Sequence, residues 1–187
     1  MDYNLTHRLK GLACNMAIHN NEDSYKQLFQ LLFNSLFRLS FSMLKNREQA
    51  EEIGSDVMFR LWQNRMELVE IDNIKVYALT IARNMSLNLL RINGRVKIIS
   101  LDDIHLEKTD RAVAPDQILI NHQNQQILRE SILALPTRCK IVFKLIKEEG
   151  LSYKEVAQVL NISPKTVDAH LVTAMKKLSE ALKFKNV

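Results

Sequence analysis

Leu151-Ser152-Tyr153-Lys154-Glu155-Val156-Ala157-Gln158-Val159-Leu160-Asn161-Ile162-Ser163-Pro164-Lys165-Thr166-Val167-Asp168-Ala169-His170-Leu171 is the stretch whose reading decides the fold. Ser152 followed three residues later by Glu155 is a capping-box signature, which starts a short helix at Tyr153 that runs to Leu160. Asn161-Ile162-Ser163 interrupts it. A second helix restarts at Pro164, whose fixed φ suits the first helical position behind a Ser cap. Two helices separated by three residues are a helix-turn-helix. Val156, Ala157, Leu160, Ile162, Val167 and Leu171 would form its small core, with Ala157 at the close helix crossing and Ile162 plugging the turn. Lys165, Thr166, Asp168, Ala169, His170, Thr173, Lys176 and Lys177 are left for the outer face of the second helix. Such a helix fits the major groove of duplex DNA, with its N-terminal residues at base edges and its dipole and later lysines on phosphates.

Outward from this stretch the chain continues to read as helices. Four Gly and three Pro in 187 residues are too few for a turn-rich all-β fold. Upstream, Asn21 or Asp23 can cap a helix to about Lys45, with Leu28, Phe29, Leu32, Phe33, Leu36, Phe37, Phe41 and Leu44 at three- and four-residue spacing. Lys45-Asn46 is its stop. A helix from Arg47 to Arg65 carries Ala50, Ile53, Val57 and Leu61 on one stripe. An acidic loop, Glu67–Asn73, leads to a helix over Ile74–Asn93 whose period runs through Tyr77, Ile81, Met85 or Asn84, and Asn88 or Leu89, ended by Asn93-Gly94. A weaker helix occupies Leu5–Ile18. Lys97–Pro115 has no period and reads as a linker. Helices follow over Asp116–Leu135 and, capped by Thr137, Arg138–Glu149. The last helix extends from Pro164 to about Phe184. The expected fold is all-α: a first domain over 1–97, a flexible acidic linker over 98–116, and a second domain over 117–187 holding the helix-turn-helix.

The net charge of +5 hides a segmental pattern. Lys75, Arg83, Arg91, Arg95 and Lys97 lie in an acid-free stretch between Ile74 and Lys97. A second basic stretch, Ser163–Val187, has Lys165, Lys176, Lys177, Lys183 and Lys185 against Asp168 and Glu180. Between them come Asp102, Asp103, Glu107, Asp110 and Asp116, and before them Glu48, Glu51, Glu52 and Asp56. Two basic segments around an acidic middle suit a two-site polyanion binder.

Other classes fall away. The most apolar window, Leu28–Leu44, is broken by Gln30, Asn34, Ser35, Arg38, Ser40 and Ser42, so no membrane insertion is expected. Residues 1–21 lack an export signal, and two distant cysteines, Cys14 and Cys139, fit a reducing cytoplasm. The spacing of His7, Cys14 and His19 matches no metal site. Glu51, Glu52 and Asp56 have no supporting motif for a metal nuclease. No catalytic residue, cofactor or metal is expected.

Glu149–Ala157 with Lys165-Thr166-Val167 resembles region 4 of the extracytoplasmic-function (ECF) subfamily of the sigma-70 family of bacterial RNA polymerase sigma factors. By itself it is also similar to the DNA-binding domain of LuxR-type regulators. Those need an α/β receiver, and no alternating β/α pattern precedes the motif. Glu51-Glu52-Ile53-Gly54-Ser55-Asp56-Val57-Met58-Phe59-Arg60-Leu61-Trp62 resembles sigma region 2.2, although the family usually has Gln at the place of Ser55. Lys75–Asn84 with Asn88-Leu89-Leu90-Arg91 resembles regions 2.3 and 2.4, with Tyr77-Ala78 for the family's aromatic-Leu pair and Asn88 for its frequent Asp.

The resemblance implies a non-enzymatic promoter-specificity subunit that is cytoplasmic, and nucleoid-associated within the holoenzyme. Its implied partners are core polymerase (the β′ clamp helices and the β flap), promoter DNA and an anti-sigma factor. It implies polymerase contacts at Glu52, Ser55, Asp56, Phe59, Arg60, Trp62 and Gln63. It implies −10 contacts at Asn73, Tyr77, Arg83, Asn84, Asn88, Arg91 and Arg95, and −35 contacts at Ser163, Lys165, Thr166, Ala169, His170, Thr173, Lys176 and Lys177. An acidic linker in the family's position could mimic nascent RNA in a basic channel.

Overall fold

A computed structural model describes residues 3–94 and 129–183. The first unit contains α1 (Tyr3–His19), α2 (Glu22–Leu44), α3 (Arg47–Gln63), a 3-10 turn over Glu67–Glu70, and α4 (Ile74–Ile92). The second contains a helical segment at 129–133, α5 (Thr137–Lys147), α6 (Tyr153–Leu160) and α7 (Pro164–Lys183). No strand occurs among the described residues. Arg95, the linker expected over 98–116, and most of the helix read from Asp116 lie outside them.

The α2–α3 corner follows from three polar residues. Asn21 caps α2 by accepting from the Ser24 amide at 2.9 Å. Lys45 takes a left-handed φ of 57° and returns its N–H to Phe41 at 3.0 Å. Asn46 then caps α3 through the Gln49 amide at 3.0 Å. The two helices close face to face at Gly54, where a Cβ would stand 3.0 Å from the Phe33 ring. Ala50, Ile53, Val57 and Leu61 are buried as their period predicts. On α2 the core takes Leu28, Leu32, Leu36, Leu39 and Met43, while the phenylalanines form half-buried or exposed stacked pairs, Phe29–Phe33 at 4.8 Å and Phe37–Phe41 at 5.8 Å.

The buried stripe of α4 differs from the expected one. Tyr77, Ile81 and Met85 are only half-buried, whereas Ala78, Leu79, Ala82, Ser86 and Leu90 are buried. Small residues at 78, 82 and 86 let α4 approach α2 and α3 closely, and a hydropathy period undercounts Ala and Ser. The acidic loop is also more ordered than a plain loop. Leu68 is fully buried, and Lys10 of α1 donates its ammonium to the carbonyls of Val69 (2.5 Å) and Ile71 (2.6 Å).

In the second unit the capping box is present as read: the Ser152 side chain accepts from the Glu155 amide, and Glu155 accepts from the Ser152 amide at 2.8 Å. Asn161 adopts a left-handed φ of 53°, and Ile162 returns its N–H to Ala157 at 3.1 Å to make the turn. Ser163 caps α7 through the Thr166 amide at 3.0 Å. Val156, Ala157, Leu160, Val167 and Leu171 are buried and Ile162 is half-buried. Thr137, expected as a cap, is instead the first residue of α5 behind Pro136, with no side-chain cap. Pro136 holds the N-cap position at φ −51° and ψ 142° and has no side-chain oxygen to accept from the first-turn amides.

The two units pack on one another. α6 lies on α4, and α5 on α2. One apolar cluster runs without a break from Leu9 and Leu28 through Val76 and Leu79 to Val156, Val159, Leu160 and Val167.

Candidate nucleic-acid interface

On α3 the residues that do not face the core form one stripe. Glu52, Ser55, Asp56, Phe59 and Gln63 are exposed at helical spacing, with Arg60 beside them. Phe59 is 56% exposed although it is a large aromatic, which a single-unit core does not account for. Trp62 is turned inward and is half-buried: its ring lies edge-on to Tyr25 at 5.2 Å, under the Arg65 guanidinium at 4.9 Å. Phe59 thus stands exposed with Asp56 about one turn and Glu52 about two turns before it on the same face.

On α4, Asn84, Asn88 and Arg91 are exposed on one stripe that continues to half-buried Tyr77. The helix has no acidic residue, so this face can hold phosphates while its amides hydrogen-bond bases. Asn73 and Arg83 behave differently. Asn73 caps α4 by accepting from the Val76 amide at 3.1 Å, and its amide nitrogen donates to Glu155 of α6 at 2.7 Å. Arg83 donates to the Asn84 side chain (2.8 Å) and to the Leu160 carbonyl (3.0 Å). Burial, and then the charge of Arg91, pull the Arg83 pKa below its ordinary value. Its Nε is buried with no hydrogen-bond partner among the described residues.

On α7, Ser163, Lys165, Ala169 and Lys176 are exposed near or along the face that would enter a groove. Thr166 is held by the Ser163 hydroxyl at 2.8 Å, and Thr173 is bonded back to the Ala169 carbonyl at 2.8 Å. Lys177 is half-buried. His170 leans away from that face. Its ring is half-buried, with Nδ1 3.9 Å from the Cys139 sulfur of α5. Burial and the Arg138 charge lower its pKa, so at neutral pH it is an uncharged imidazole. Burial likewise raises the Cys139 thiol pKa and leaves it a packing residue.

Sequence reasoning missed three residues that shape these surfaces. Lys10 positions the loop before α4. Lys75 and Glu149 join the units, with the Lys75 ammonium 2.8 Å from the Glu149 carboxylate. Each is an ordinary charged residue in sequence, and only its long-range partner distinguishes it.

Comparison with known proteins gives two family models and a consistent set of relatives. Residues 28–96 match the model of sigma-70 region 2, and residues 125–178 match that of sigma-70 region 4. The chain is 22% identical over 168 residues to the ECF RNA polymerase sigma factor SigX of Bacillus subtilis, covering 87% of this chain and 86% of that one. It is 24% identical over 159 residues to the RNA polymerase sigma factor YlaC of the same organism, covering 85% and 90%. In fold it is similar to the sigma factor RpoE solved in complex with the anti-sigma factor NepR from Bartonella quintana. The TM-score is 0.62 at 23% identity, over 85% of this chain and 96% of that one.

Proposed function

The chain belongs to the sigma-70 family, in its extracytoplasmic-function branch, as an alternative RNA polymerase sigma factor for transcription initiation, and we propose how its surfaces divide that work. The exposed stripe of α3, Glu52 to Gln63, docks on the β′ clamp helices of the core enzyme. The stripe of α4 from Asn73 to Arg91, with the loop before it, captures and holds the opened −10 element. The N-terminal half of α7, from Ser163 through Lys165 and Ala169, reads the −35 element in duplex DNA, with Lys176 on phosphate. The polymerase supplies all bond-making, and this chain supplies placement.

One observation carries the reading. A single chain presents an acidic-aromatic face on α3 beside an acid-free polar face on α4, and a capped helix-turn-helix as well. The region 2 match leaves the LuxR-type alternative without an account of the first half. A cytoplasmic location follows from the role. Among the described residues no helix is long and apolar enough to cross a membrane. An anti-sigma partner is proposed from the NepR complex of the structural relative.

Separable defects test the division. Asp56→Ala with Phe59→Ala should weaken core binding by about tenfold, roughly 1.4 kcal/mol, in a labelled-core titration. Lys165→Ala should leave core binding unchanged and lower initiation from a promoter that depends on its −35 element. If Lys165→Ala abolished core binding, the assignment of the two units would be wrong.

A further inference from the structure

The second unit is docked against the edge of the α4 surface assigned to the −10 element, where it engages Asn73 and Arg83 and leaves Asn84, Asn88 and Arg91 exposed. Asn73 donates to Glu155 (2.7 Å) and Arg83 to the Leu160 carbonyl (3.0 Å). Glu149, in the turn between α5 and α6, is the centre of the contact. Its carboxylate accepts from Ser35 (2.5 Å), Arg38 (2.6 Å) and Lys75 (2.8 Å), and Lys75 also donates to its main-chain carbonyl at 2.9 Å. Gly150, at a φ of 70° open to Gly, ends the turn, and Leu151 closes back on the Leu145 carbonyl at 3.0 Å. That turn aims Glu149 at α2 and α4. The groove between Ser35, Arg38, Ser42, Lys144 and Glu149 stays partly open beside it.

We propose that this contact is an intramolecular latch: in the free chain the helix-turn-helix unit occupies the Asn73 and Arg83 edge of the −10 surface, and single-stranded DNA and the second unit compete for these two residues. The inference rests on the promoter reading above. Three observations support the exchange. First, two assigned −10 residues, Asn73 and Arg83, spend their donors on the other unit. Second, Arg83 is poorly satisfied where it is: its Nε has no partner among the described residues and Arg91 stands near, so a phosphate would serve it better than a carbonyl. Third, geometry forbids both roles at once. Elements 25 base pairs apart lie about 85 Å apart along duplex DNA at ~3.4 Å per pair. Units joined by direct hydrogen bonds cannot reach both. The masking is one-sided, because Ser163, Lys165 and Ala169 remain exposed in the docked form.

Glu149→Gln and, from the other side of the contact, Arg38→Gln test the latch in the full-length chain. Neither residue belongs to an assigned DNA or polymerase surface. Small-angle scattering reads closure, and fluorescence anisotropy with a labelled random-sequence single-stranded DNA 15-mer reads access to α4. Circular dichroism confirms folding. Wild type should scatter as a closed particle. Both variants should show a larger radius of gyration and bind the 15-mer about five- to tenfold more tightly, the gain expected when a competent state rises from a tenth or a fifth of molecules to nearly all. Unchanged size, or unchanged affinity in two folded variants, would overturn the latch. Run-off transcription with core enzyme is scored separately: failure there with intact opening counts against the promoter reading and not against the latch.

Discussion

The Lys75 ammonium is held by both ends of Glu149, 2.8 Å from its carboxylate and 2.9 Å from its main-chain carbonyl. Both side chains are nearly withdrawn from solvent, at 12% and 6% exposure. The pair therefore differs from the surface ion pairs Lys26–Asp23 and Arg47–Glu51, which are exposed and weak. Removing Lys75 leaves the nearly buried Glu149 carboxylate with only Ser35 and the more exposed Arg38, a cost below the about 3–5 kcal/mol of a buried charge left with no partner. Lys75→Met should thus separate the units while each keeps its helices, which scattering and far-ultraviolet circular dichroism together would show.

The same contact sets an acid limit. Burial alone would raise the Glu149 pKa. Hydrogen bonds from Lys75 and Ser35, with the charges of Lys75 and Arg38, outweigh it and bring the pKa below the ordinary value. Lys144 and Glu148, across the adjoining groove, are the other charged groups facing this corner. A carboxylate with a depressed folded pKa contributes stability that is present above its unfolded pKa and is lost as pH falls through the folded one. Docking should accordingly be constant from pH 7 to about 5 and fail below about 4, near the range of a free Glu. Scattering recorded down the pH series checks this, and opening already complete near pH 6 would contradict it.

Lys140 carries the opposite linkage. It is buried on α5, where desolvation and the neighbouring charges of Lys45 and Lys144 lower its pKa to about 8. Its ammonium donates to the Leu133 carbonyl. A lysine so depressed is a penalty in the folded state, present in full below pH 8 and relieved as pH rises towards its unfolded value of about 10.4. Stability should therefore increase between pH 8 and 10. Lys140→Met should stabilise the chain at pH 7 by about 1–2 kcal/mol, the charge penalty less the lost hydrogen bond. Denaturant melts of the two proteins at pH 7 and 9.5 decide it.

Lys10 should matter to a loop 58 residues away in sequence. Its ammonium bonds to Val69 and Ile71 hold the segment that leads into Asn73 and the α4 cap. Lys10→Met keeps the buried stem and removes the charge-assisted bonds, worth about 1.5–3 kcal/mol each at most. Amide exchange over residues 68–73 should speed up by tenfold or more, with little change in α2 and α3. Uniform exchange changes across the first unit would instead mean that Lys10 acts on the core.

Much of this was legible from local rules. Asn21, Ser152 and Ser163 cap helices where their side chains predict, because a cap depends on three or four neighbouring residues, and Asn46, read only as part of a helix stop, also caps the next helix. The stripe Ala50–Leu61 needed only a period. α4 was harder for a physical reason. It is covered on two sides, by α2 and α3 and by α6, so no single stripe describes it, and its close-packed residues are Ala and Ser. Lys165 and Ala169 are exposed on α7 as the helical spacing expects, whereas His170 lies back towards Cys139, a rotation that helical spacing leaves open. The roles of Lys10, Lys75 and Glu149 were not legible, since they depend on contacts between residues 59 to 114 positions apart.

The most direct measurement is run-off transcription by bacterial core polymerase, with and without this chain, on templates that carry promoters it serves. Added chain should produce discrete transcripts that core enzyme alone does not make. Asp56→Ala with Phe59→Ala, and Lys165→Ala, should each reduce them for different reasons, one through core binding and the other through promoter contact. Transcripts unchanged by the chain on every template, although it binds core enzyme, would contradict the account.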